Sequence, residues 1–153
     1  MSLIHKKMNG GIEGLTKRIM KLKGSIAVGV FDTLKYPNSG VSVLDVAMIH
    51  EFGSAKRGIP KRSFIRSTAD KNKDIIKNKL KEITKKVVVD GADGSKLRGQ
   101  TGVWFANEIK KTIRAGGVPF AANKKQTIKR KKGNNTPLRD SGLLMKSISW
   151  QEL

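Results

Sequence analysis

The sequence predicts an α+β fold: a small antiparallel or mixed sheet covered by two long helices, with a basic loop and an extended arm. Three observations carry this expectation. Apolar residues recur at helical spacing through the middle of the chain. Short alternating segments stand toward its two ends, and lysine-rich stretches poor in apolar residues separate the pieces. At 153 residues the chain is read as a single domain, 1–153, long enough to bury a core without cross-links.

Ile12, Leu15, Ile19 and Leu22 define a first helix, with Lys17, Arg18, Lys21 and Lys23 on its other faces and Gly24 as its stop. Ser25 to Phe31 alternates Ile26, Val28 and Val30 with small Ala27 and Gly29, the pattern of a strand closely approached on one face. Lys35 to Gly40 is turn chemistry, through Pro37, Asn38 and Gly40. Ser42 with Asp45 three residues on marks a helix start, and Val43 to Phe52 reads as a short helix whose valine-rich beginning also suits a strand.

Gly53 to Arg62 is expected to be a flexible basic loop. Ile76, Leu80, Ile83 and Val87 then step by four, three and four through a lysine-rich background, which predicts one amphipathic helix from about Ser67 to Val88. The Asp90–Gly94 run breaks it. Ser95 is placed to cap the next helix, which carries Trp104, Phe105, Ile109 and Ile113 and stops at Gly116-Gly117. The segment 121–136 is a basic arm or loop. Thr136-Pro137 suits a helix entry, and Lys146 to Trp150 reads as a terminal strand.

Composition narrows the chemistry. The chain has no cysteine, which removes disulfides, thiolate nucleophiles and cysteine-based zinc sites. No apolar run is long enough to predict a membrane span, and no apolar stretch follows Lys6 and Lys7, so no secretory signal is expected. His50-Glu51 begins like a zinc-protease signature, but the second histidine would fall at Ser54. No carboxylate pair, nucleophile–base trio or phosphate loop stands out, so neither an enzyme nor a cofactor is expected.

Charge is the dominant global feature: 32 Lys and Arg oppose 12 Asp and Glu, a formal net charge of +20. A field of this size favours polyanionic partners and weakens an isolated monomer through self-repulsion. The densest stretch, Lys124, Lys125, Lys129, Arg130, Lys131 and Lys132, is the candidate polyanion-binding run. It lacks interleaved aromatics: Phe120 is alone between Ala115 and Ser149, which disfavours sequence-specific single-strand recognition. The segment therefore reads first as a solvated arm that orders against an acidic neighbour, and second as a non-specific DNA contact.

Two ordered stretches carry a resemblance. Val46-Ala47-Met48-Ile49-His50-Glu51-Phe52-Gly53 is followed by Ile59-Pro60-Lys61-Arg62-Ser63-Phe64-Ile65-Arg66. Later comes Thr136-Pro137-Leu138-Arg139-Asp140-Ser141-Gly142-Leu143-Leu144, then Lys146-Ser147-Ile148-Ser149-Trp150. With the opening Val28-Gly29-Val30, this ordered set resembles the HK97 gp10-like and tail-completion (virion morphogenesis) families of tailed phages. One departure is that relatives usually show Pro-Arg-Pro-Phe where Pro60-Lys61-Arg62-Ser63-Phe64 stands, and the missing second proline frees the backbone there.

The resemblance implies a structural subunit of the neck, connector, tail terminator or tail-completion kind. It would act by forming a homo-oligomeric ring, sixfold or twelvefold, without catalysis. Its partners would be copies of itself and neighbouring connector and tail proteins. Its location would be the virion, after synthesis in the host bacterial cytoplasm. The expected interface comprises His50, Glu51, Phe52, Gly53, Lys56, Arg57, Pro60, Arg62, Phe64, Arg66, Arg139 and Asp140. Beside that reading, Phe52, Ile59 and Phe64 are placed to fasten the short helix to the long one. Leu138, Leu143, Leu144 and Ile148 are placed to seat the C-terminal segment on the core, and Arg139 and Asp140 to form a cap and an ion pair.

Overall fold

A computed structural model describes residues 10–31, 34–37, 39–116, 120–132 and 134–153. His5, Lys6, Lys7, Asn38, Gly117 and the Gly133 position of the basic segment lie outside the described residues. The elements in chain order are α1 (Gly11–Met20), β1 (Ile26–Val30), α2 (Val43–Phe52), α3 (Phe64–Lys71), α4 (Lys73–Asp90), α5 (Gly94–Ala115), α6 (Lys125–Arg130), α7 (Leu143–Lys146) and β2 (Ile148–Glu152). The α+β expectation holds: β1 and β2 form a two-stranded antiparallel sheet among helices. The described residues group into two compact units, one of 10–27, 72–104 and 150–153, the other of 28–71 and 105–149.

In the first unit α1 packs on α4. Arg18 Nη1 donates to the Val88 and Val89 carbonyls at 3.2 and 3.0 Å, placing a cation on the negative end of α4. Gly91 and Ala92 return their N–H groups to Val87 and Lys86, and the helix stops there. The predicted apolar row divides: Ile83 and Val87 are buried, whereas Leu80 is 53% exposed. The next helix is capped by Asp93 rather than Ser95. Asp93 Oδ1 accepts from the Ser95 and Lys96 N–H groups at 2.9 and 3.4 Å. The Ser95 hydroxyl donates instead to Glu152 at 2.8 Å, beside the Arg98–Glu152 ion pair.

Gly99 and Gly102, one turn apart on α5, are buried beneath the Trp150 indole of β2. A Cβ at either position would come within 2.8 Å of that ring. Alanine ordinarily favours a helix over glycine by about 1 kcal/mol, but here overpacking opposes it at a cost of about 1–3 kcal/mol. Gly102→Ala is therefore expected to lower stability by up to about 2 kcal/mol, read as a lower urea midpoint. A raised midpoint would show that the indole does not sit on this helix.

The second unit has the larger core. Phe64, Ile109, Ile113, Val43, Ile148 and Leu144 are almost fully enclosed, joined by Val30, Ala47, Ala106 and Phe120. α5 supplies Ala106, Ile109 and Ile113 at the expected helical spacing, and α2 packs on both α3 and α7.

The helix expected from Ser67 to Val88 is two helices. It starts earlier, at Phe64, and is interrupted at Asn72, whose φ of −103° and ψ of 13° leave the helical basin. Asparagine offers the backbone competing local hydrogen bonds, which makes such interruptions inexpensive. The helix entry at Thr136-Pro137 is a turn instead. Leu138 takes a positive φ of 60°, and the short α7 begins only after Gly142. The segment 121–136 is not extended throughout, because α6 winds Lys125–Arg130 into a helix within it.

Candidate assembly surface

α2 begins where Ser42 Oγ accepts the Asp45 N–H at 3.1 Å, the cap its sequence announces. It ends at Gly53, whose φ of 80° is a conformation open to glycine and strained for other residues. Between these limits the helix is apolar nearly all round. Val43 and Ala47 point into the core, while Leu44, Met48 and Phe52 form a ridge on an adjoining side, 42%, 53% and 61% exposed. Apolar helices of this kind are normally buried, and here three large side chains at four-residue spacing are left exposed together. Arg66 stands over the Phe52 ring, 5.6 Å from its centre. Phe52 thus meets the next helix through Arg66 while its ring stays exposed; within the expected trio Phe64 is the fully buried anchor and Ile59 is half-buried.

Beside the ridge, Ser54 and Ile59 exchange backbone hydrogen bonds of 2.9 Å in both directions. They close a tight turn that holds Lys56 and Arg57 out into solvent. Arg57 also borders a shallow depression of about 600 Å³ along α2, lined by Lys35, Val41, Asp45, Met48 and Ile49. Pro60 is half-buried at the exit of the turn.

Glu51 faces inward. Its carboxylate accepts from the Ser63 hydroxyl at 2.6 Å and from the Ile65 and Arg66 N–H groups at 2.9 and 3.0 Å. It is the N-terminal cap of α3, reached from another helix, and it places negative charge at the positive end of that helix. Arg62 is buried as well. Its backbone N–H donates to the His50 carbonyl at 2.7 Å. Its guanidinium donates to the Ala121 and Ala122 carbonyls at 2.7 and 2.9 Å and reaches Asn123 Oδ1 at 3.4 Å.

That clamp ties the basic segment to the first motif. Asn123 Nδ2 donates to the Asn135 carbonyl at 2.9 Å, and Lys131 Nζ to the Thr136 carbonyl at 2.9 Å, so the segment is drawn into a closed loop. Lys124, Lys125, Lys129, Arg130 and Lys132 remain exposed, while Lys131 is half-buried. His50 is half-buried against this group. Its Nδ1 has no hydrogen-bond partner among the described residues. Burial first, then the charges of Arg62 and Lys131, push its pKa from 6.5 down to about 4, so the imidazole is neutral at pH 7. Arg139 and Asp140 are exposed and form no ion pair with each other; the Asp140 charge bears instead on Lys131 and on the Tyr36 hydroxyl.

The structure thus brings together His50, Arg62 and the 121–136 segment. It sends Glu51, Arg62 and Phe64 inward, and it leaves Phe52, Lys56, Arg57, Arg66, Arg139 and Asp140 on the surface. Sequence reasoning placed Leu44, Ala47, Met48 and Phe52 on one apolar stripe but did not foresee that Ala47 is buried while the other three stay exposed. It also missed the Arg62 clamp, for which no local signal exists, since the acceptors are backbone carbonyls about sixty positions away. Among the described residues no group of three or more His, Cys, Asp or Glu converges to hold a metal ion, and no helix is long and apolar enough to cross a membrane. Comparison with protein-family profiles, with curated proteins and with solved structures finds no match.

Proposed function

We propose that this chain is a structural subunit of a tailed-phage particle, at the neck or the tail end, that works by assembling into a ring of its own copies. The observation that carries the reading is the exposed ridge Leu44, Met48 and Phe52 on a helix whose other face is committed to the core. A ring built head to tail needs one such surface per copy and a different surface to receive it. The basic turn Lys56–Arg57 and the exposed Arg66 flank the ridge and would fix its register against the receiving surface. The ordered motifs 46–66 and 136–150 support the same reading, because Phe64, Leu144 and Ile148 share one core. Neighbouring connector and tail proteins would complete the surroundings, with the virion as the location.

The test is oligomeric state by native mass spectrometry and light scattering. The purified protein is expected to form a closed ring, with six copies as the first expectation and twelve as the alternative. Leu44→Glu, Met48→Glu and Phe52→Glu together are expected to yield folded monomers with unchanged circular dichroism. A wild-type protein that stays monomeric at high concentration and never enters a particle would overturn the proposal.

A second reading has its own support. Five exposed cations on the clamped segment Lys124–Lys132 form a compact basic patch suited to the phosphates of duplex DNA. It ranks lower because the aromatic residue nearest to that run in sequence, Phe120, is buried in the core and is not presented for base stacking.

A further inference from the structure

The first unit carries a surface that the ring reading does not use. A shallow, open groove of about 670 Å³ runs along α4, which supplies every residue that lines it. Its floor is the row Ile76, Leu80, Thr84 and Val88, and its wall includes Lys73, Lys77, Lys81 and Lys85. Both sets repeat every four residues, so they run side by side for about 18 Å of helix. Thr84 belongs in the apolar row because its hydroxyl donates to the Leu80 carbonyl at 3.0 Å, leaving its methyl group for the groove. The four lysines are exposed, and none has an ion-pair partner among the described residues. Glu82 lies outside the groove and pairs with Lys86 at 2.7 Å.

We infer that this groove docks an acidic amphipathic helix of a partner protein, about three turns long. Its apolar side chains would fill the row beside Leu80, and its Asp or Glu residues, four apart, would meet the lysine ladder. The charge pattern selects the sign of the occupant, because four unpaired cations and no carboxylate line the site. The apolar floor selects its class. A duplex backbone offers no apolar surface, so it would satisfy the lysines and leave Leu80 in water. A bilayer is taken up by a broad apolar face, and the apolar surface α4 offers is narrow: Ile83 and Val87 are buried, and beyond the row only Ile75 among its large apolar side chains is exposed, at the helix's first turn. A helix laid in a groove matches both features. The inference rests on α4 alone and stands or falls separately from the ring.

The experiment uses the full chain and a fluorescein-labelled, side-chain-stapled helix of about sixteen residues, with leucine at every third or fourth position and glutamate along its flanks. Anisotropy is expected to show binding that weakens as salt rises. The Lys77→Gln, Lys81→Gln, Lys85→Gln triple variant is expected to bind about tenfold more weakly. Leu80→Gln is expected to cost a similar factor, and a peptide with serine in place of leucine to bind at least as poorly. Equal binding of the serine peptide, or an unchanged affinity in the lysine variant, would overturn the inference. So would Leu80-dependent binding to phosphatidylglycerol vesicles, or to duplex DNA, that is tighter than binding to the peptide. The α2 ridge variants should leave the peptide affinity unchanged, which separates this result from the assembly test.

Discussion

Glu51→Ala is expected to lower the unfolding free energy by about 3 kcal/mol, the sum of a lost helix cap and buried donors left without an acceptor. The carboxylate is enclosed and accepts three hydrogen bonds, two of them from the first backbone N–H groups of α3. Alanine removes both oxygens, and water cannot readily replace them at a buried helix end. Glu51→Gln keeps the shape and one carbonyl oxygen but turns an NH2 group toward a donor, so its expected loss is smaller, about 1–2 kcal/mol. In a chain of this size a 3 kcal/mol loss corresponds to a fall in melting temperature of roughly 6–12 °C. Thermal and urea unfolding of the two variants check this. A Glu51→Ala protein as stable as wild type would mean that α3 does not depend on this cap. The effect is structural, so Glu51→Gln should show the same oligomeric state as the wild type.

Acidification is expected to weaken the protein through His50. In the unfolded chain this imidazole titrates near 6.5, whereas in the folded protein burial, followed by Arg62 and Lys131, holds it to about 4. Between those values the unfolded chain takes up a proton that the folded protein refuses, so stability rises with pH across the window and falls on acidification. The loss from this group reaches about 3 kcal/mol by pH 4 and levels off about one pH unit below it. The measurement is urea unfolding in steps from pH 7.5 to pH 4, on the wild type and on His50→Gln. The difference between the two curves isolates His50 from the carboxylates that also titrate at the acid end. It should be flat above pH 7 and should slope between pH 6.5 and 4. Parallel curves would show that the imidazole stays accessible to protons. Because His50 adjoins the clamp between Arg62 and the basic segment, the same acidification is expected to loosen that segment first.

Different elements were legible to different degrees. α2 announced both of its ends, through Ser42 and Gly53, because caps made by neighbouring residues are written in the local sequence. α3 did not announce its beginning, since the group that starts it is a carboxylate on another helix. The interruption at Asn72 was hidden by the apolar row that continues beyond it, which by itself reads as one helix. Asp93 displaced Ser95 as the α5 cap because the Ser95 hydroxyl had a partner in Glu152, distant in sequence and close in space. The basic segment was recognised by composition, but its closure by Arg62, Asn123 and Lys131 uses backbone carbonyls, which every residue carries and no pattern marks. The interface expected from the motifs was mixed in the same way. Its polar members Glu51 and Arg62 serve the fold internally, and the exposed apolar ridge on α2 came to light only with burial.

The sequence by itself determined the α+β class, the placement of most helices and of both strands, the absence of cysteine chemistry and the strong positive charge. These follow from periodicity and composition, which are local or additive properties of the chain. Only the tertiary structure decided which apolar faces stay open, along α2 in one unit and α4 in the other, which buried charge caps which helix, and which cations have no ion-pair partner among the described residues. The reason is that a periodic pattern says a helix has a face to bury but not what lies opposite it. Burial and long-range hydrogen bonds exist only once distant segments have met.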